Sequence, residues 1–157
     1  MCHNDPCVEN IVFRDRRAAA LIDFDLAAPG RPIWDVAALA HHMGPTLPPE
    51  AATGRVWEDL DTARRLCLIA DSYGLAGRER ALLPQTVEEY LAVARVFVAG
   101  RVAAGDAGFV DALEHGGGWA RWDRRRDWPS DRRSGLVRAL TAPGAVDGRP
   151  GVRGHGG

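Results

Sequence analysis

Apolar positions fall in short runs near the start of the chain and shift to a helical spacing from about residue 33. Residues 11–14 (Ile-Val-Phe-Arg) and 18–24 (Ala-Ala-Ala-Leu-Ile-Asp-Phe) are apolar runs separated by Asp15-Arg16-Arg17. Such runs around a polar triplet predict a β-hairpin, with Ala18 to Ala20 weakening its second strand. Residues 27–32 read as a loop from their Pro and Gly content, and a helix is expected from Ile33 to Met43, stopping before Gly44-Pro45. Val56, Leu60, Ala63, Cys67 and Ala70 then form one stripe of a helix that ends at Gly74. Val87, Leu91, Ala94, Val98 and Val102 do the same for a long helix over about 84–104, and shorter helices fit 106–115 and 131–140. Residues 142–157 are mostly Gly, Pro and Arg with almost nothing to bury, which predicts a disordered tail. The expected fold class is mainly α with a small β-hairpin, as one domain over 1–141.

Composition narrows the field. The 157 residues are the size of one domain, and 46% apolar with 26% charged residues is an ordinary globular mixture. A formal charge of −1 gives no general pull towards nucleic acid or anionic lipid. No apolar run approaches the roughly 20 residues that span a bilayer, and no leader is read at the start. Cys2, Cys7 and Cys67 are too few for a disulfide framework, so a reduced, cytoplasmic setting is expected. All 20 basic residues are Arg, which excludes any mechanism that needs a lysine from these residues.

The chemistry concentrates at the N-terminus. Asp5 and Asn10 lie five residues apart on one loop, and Asp23 returns beside them at the end of the hairpin. The Asn10 amide and the Asp23 carboxylate are hard oxygen donors of the kind that hold Mg²⁺ together with substrate phosphates. Asp5 is left as a free carboxylate able to take a proton from an attacking hydroxyl. Taken singly, Asp5-Pro6 is also a turn, Asn10 a loop residue and Asp23 a strand-end cap. Their joint order is what points to chemistry.

The pattern His3-x-Asp5-x4-Asn10, with an Asp thirteen residues on, resembles the aminoglycoside phosphotransferase and choline kinase family, small-molecule relatives of the protein kinases. The resemblance continues through Ala27-Ala28-Pro29-Gly30-Arg31-Pro32-Ile33-Trp34-Asp35-Val36-Ala37. It implies that Asp5 is the catalytic base and that Asn10 and Asp23, with Asp25 as a further candidate, bind Mg²⁺. It implies that His3 and Asp35 brace the loop, ATP being the phosphoryl donor and a small hydroxyl compound the acceptor. The implied fold is the helical C-terminal lobe of a protein-kinase-like enzyme. Asp25 stands where the protein kinases carry Gly.

Such an enzyme also needs an N-terminal lobe with a Gly-rich loop and a phosphate-anchoring lysine. The motif begins at residue 3 and there is no Lys, so the expectation is a truncated enzyme. The chain alone should bind ATP·Mg²⁺ weakly, and the surface that the other lobe covers should be exposed. The competing expectation is an inactive remnant or a module that binds a partner.

Other signals have plainer readings. Cys2, His3 and Cys7 lack a fourth ligand for zinc. His41 and His42 point about 100° apart on a helix, so they cannot share one ligand. The Arg- and Trp-rich segment 119–133 is read as core Trp on one helix face with a solvated, charge-paired face opposite rather than a nucleic-acid grip, because Asp123, Asp127 and Asp131 offset half its charge. Glu58, Asp59, Asp61, Glu88 and Glu89 are candidates for meeting a cationic substrate, since the resembled family often lines its site with acidic helices.

Overall fold

The computed structural model describes residues 1–43, 46, 48 and 61–142. It is mainly helical, with one two-stranded antiparallel ribbon, β1 (Ile11–Arg14) and β2 (Arg17–Leu21). Asp15 and Arg16 make the turn with φ of 49° and 63°. Positive φ at both central residues gives a turn whose twist matches that of the strands. Arg17 therefore joins β2 rather than the turn. The pairing Ile11–Leu21 and Val12–Ala20 shifts register before Phe13–Ala18. The second strand stops at Leu21, short of the expected Phe24, because Asp23 adopts a left-handed φ of 64° that turns the chain out of the ladder.

Helix α1 (Pro32–His42) starts with Pro at its first position, where the missing N–H costs nothing. Helix α2 (Thr62–Tyr73) is capped by the Asp61 carboxylate, which accepts from the Arg64 N–H, and ends at Gly74 with φ of 82°. Val56 and Leu60 of the expected stripe lie outside the described residues, as do Glu58, Asp59 and the tail from residue 143.

Two helices run longer than the periodicity suggested. Helix α3 (Gly77–Ala103) starts seven residues before Pro84, and α5 (Gly118–Thr141) starts well before residue 131. Between them lies α4 (Ala107–His115), capped by Asp106. Each long helix carries an internal proline, Pro84 and Pro129, and both rings are buried. An internal Pro removes a helical hydrogen bond and costs about 3 kcal/mol in an exposed helix, so packing overrides the local preference here.

The core lies where α1, α2, α3 and α5 meet. Val36, Leu66, Leu83, Val87, Leu91 and Leu140 are all fully buried there. Each such side chain contributes roughly 1.5–3 kcal/mol of transfer free energy. Ala37, Ala38 and Ala40 expose no surface, so little side-chain bulk separates α1 from its neighbours. Arg80 is buried and donates to the Leu140 carbonyl and the Asp71 carboxylate, tying together α3, α5 and α2. Segment 119–133 is charge-paired: Asp123 meets Arg95 at 3.0 Å and Arg126 at 3.7 Å, while Arg95 also stacks on Trp119. No helix among the described residues is long and apolar enough to cross a membrane.

Candidate active site

A backbone bridge anchors the N-terminus, with Cys2 and Ala28 exchanging bonds of 2.7 and 3.0 Å. This lays residues 3–5 against the start of α1. Asp35, in the first turn of that helix, then accepts from the backbone N–H of His3 (2.7 Å) and of Asn4 (2.9 Å). Both carboxylate oxygens are used, a charge-assisted pair that fixes the loop's path. Asn4 sits at φ 69° and its side-chain amide donates to the Leu26 carbonyl. The buried His3 ring bridges two strands of chain. Its Nε2 lies 2.8 Å from the Ile22 carbonyl, and its Nδ1 accepts from the Asp5 N–H at 3.3 Å. With Nδ1 accepting, Nε2 carries the proton and donates to Ile22.

Asp5 emerges from this brace as a half-buried carboxylate. Its Oδ2 accepts from the Asn10 Nδ2 at 3.2 Å, and the same amide nitrogen donates to the Asp5 carbonyl at 2.9 Å. Asn10 is buried, and spending its nitrogen on Asp5 leaves Oδ1 as the atom that can meet a cation. The Ile22 N–H donates to the Asn10 carbonyl at 2.9 Å, so β-type pairing delivers Asp23 to the same end of the ribbon. Asp23 and Asp25 are exposed there. Among the described residues no three His, Cys, Asp or Glu side chains converge as a metal cluster. What the site offers is an amide oxygen with one or two carboxylates, a hard donor set that fits Mg²⁺ shared with phosphate oxygens.

Two residues that the sequence did not assign to the site adjoin Asp5, one touching its carboxylate and the other reaching it through the first. His42 Nε2 lies 3.2 Å from Asp5 Oδ1 and 3.0 Å from the Tyr90 hydroxyl, which in turn donates to the Asn4 carbonyl at 3.4 Å. Burial pushes the His42 pKa down, partly opposed by the negative charge of Asp5. A neutral ring with its proton on Nε2 donates to Asp5. Burial pushes the Tyr90 phenol up, which keeps it protonated. His42 had a sequence signal: it is seven residues after Asp35, two turns along the same face of α1. Tyr90 had none, because it comes from α3. His41 points the other way, into the core, as two adjacent helical residues must.

The zinc reading of Cys2, His3 and Cys7 finds no support. Cys2 is buried with its thiol donating to the Arg31 carbonyl, and burial raises both thiols away from the thiolate that zinc requires. Of the acidic candidates, Asp61 caps α2, Glu88 pairs with Arg133, and Glu89 faces Arg31 at 3.8 Å.

No curated protein and no solved structure matches the chain. Residues 1–69, which hold the braced loop, the ribbon and α1, match the family model of the phosphotransferase enzyme family, and over that stretch the family resemblance is borne out.

Proposed function

We propose that these residues form the acceptor- and metal-holding side of an ATP-dependent phosphotransferase acting on a hydroxyl group. The observation that carries the reading is the Asp5 carboxylate, held by Asn10 on one oxygen and His42 on the other. A base fixed in this way keeps lone pairs directed at an incoming hydroxyl and loses little entropy when it acts. The acceptor oxygen bonds to the γ-phosphorus as the bond to ADP breaks, and the hydroxyl proton passes to Asp5. Asn10 Oδ1 and Asp23, with Asp25 beside them, are the groups to hold Mg²⁺, which when bound neutralises phosphate charge. His3 and Asp35 position the loop and touch no reacting atom.

The donor's phosphates also need a cationic clamp. With 20 Arg and no Lys, this sequence does not supply it by the family's lysine. The proposed part is therefore the helical lobe of the site, acting beside a nucleotide-holding lobe. The test is Asp5→Asn in this chain complemented with a nucleotide-holding lobe. ATP-dependent transfer to an alcohol should fall at least about a hundredfold, while nucleotide affinity changes little, because the base acts in the transition state. An unchanged rate would remove Asp5 from the role.

A further inference from the structure

Beside Asp5 the fold opens a groove of about 800 Å³ between the loop before α1, α3 and the start of α5. Its walls are Trp34, Tyr90, Val93, Phe97, Phe109 and Trp122. Asp5, which His42 touches, and the exposed Arg31 also line it. We infer that this groove binds an uncharged alcohol with an aromatic or apolar body, its hydroxyl presented to Asp5, and not a polycation.

Charge decides between these ligand classes. A polyamine requires several converging carboxylates, because each ammonium must recover the hydration it loses. Asp5 is the one carboxylate among the described lining residues, and the lining also carries the cationic Arg31. Glu88 and Glu89, the acidic pair on α3, do not line the groove and face Arg133 and Arg31. The Tyr90 hydroxyl is engaged by Asn4 and His42, and the other wall residues are mostly apolar or aromatic. Val93 and Phe97 keep 56% and 41% of their surface exposed, apolar area that a ligand body would cover. The volume is that of a site for a drug-sized molecule. Asp5 Oδ1 and Oδ2 each accept one bond already, and each has a second lone pair for the ligand hydroxyl.

The role of this ligand as phosphoryl acceptor rests on Asp5 being the base, whereas its binding does not. Calorimetry on the full chain with 2-(1-naphthyl)ethanol, choline and kanamycin as separate probes tests the binding alone. The naphthyl alcohol should bind saturably at moderate salt, and neither choline nor kanamycin should displace it. Val93→Asp on α3 and Leu26→Asp on the facing loop, both at exposed positions, should each weaken it about tenfold with melting temperature unchanged. Tighter binding of choline or kanamycin, or an alcohol affinity indifferent to both variants, would overturn the assignment. Binding that responds to the variants without any transfer by the lobe-complemented protein upholds the groove and refutes the phosphotransferase reading instead.

Discussion

The N-terminal loop and ribbon are held together by a different kind of force from the helical body. From residue 2 to residue 28 the contacts are directional: Asp35 to two backbone amides, His3 to Ile22 and Asp5, Asn10 to Asp5, Asn4 to Leu26. Little of the ribbon is buried. Every residue of β2 is exposed, and Phe13, Ile22 and Phe24 keep 52%, 47% and 58% of their surface open. The helices are joined instead by apolar burial around Leu66, Leu83, Val87 and Leu140, with Arg80 as the one buried cation of the described core. Directional bonds fix where an atom points to within a few tenths of an ångström, which a reactive carboxylate needs. Apolar burial supplies most of the stability and tolerates exchange of one similar side chain for another.

That contrast can be broken from either side. If Asp23 holds the metal as proposed, Asp23→Ala should show the largest effect, lowering turnover of the lobe-complemented protein by about a thousandfold or more. Its melting temperature should fall only slightly, since Asp23 is exposed but Ala is strained at the left-handed φ of 64°; unchanged kinetics would take it out of the site. Arg80→Ala should do the reverse. Stripping the buried cation from Asp71 and the Leu140 carbonyl should cost about 3 kcal/mol in urea unfolding. Asp35→Ala tests the join between the two regions. Losing two charge-assisted bonds to the loop should cost about 2 kcal/mol, and local hydrogen exchange at His3 and Asn4 should rise more than in the helices.

The smallest effect expected is a pH dependence confined to the body. His41 is buried, its Nδ1 has no partner, and burial pushes its pKa from 6.5 down to about 3, helped by His42 and Arg125. The unfolded chain takes up the proton first, so stability is full above the unfolded value and falls as pH drops below it. A loss on the order of 1–2 kcal/mol across the first pH unit and a half is expected. His41→Phe should flatten most of that slope, leaving the smaller share from His42, whose pKa is lowered in the same direction. A slope that is identical in the variant would place the acid sensitivity elsewhere.

Much of the N-terminal region was legible in order along the chain. His3, Asp5, Asn10, Asp23 and Asp35 fall in order within the first 35 residues, and the expected bonds from Asp35 to the loop around His3 are present. The hairpin was legible too, except for its end, since no pattern of apolar residues announces a left-handed Asp23. The helical body was legible as stripes but not as lengths. Pro84 and the polar stretch before residue 131 read as boundaries, yet both lie inside helices because the fold buries Pro84 and Pro129.

Local chemistry and periodicity, which travel with the sequence, determined the hairpin, the positions of the helices and the candidate base with its brace. Tertiary packing decided what surrounds that base. Tyr90 comes from a helix some 85 residues further along, and reaches Asn4 and His42 only because α3 packs on α1. The groove walls gather residues from α1, α3, α4 and α5, whose separations in sequence carry no sign that they meet. The pairing of Glu88 with Arg133 was likewise settled by α3 lying against α5. A side chain's identity is written locally, but the company it keeps depends on which helix faces bury one another, and that is a property of the whole core.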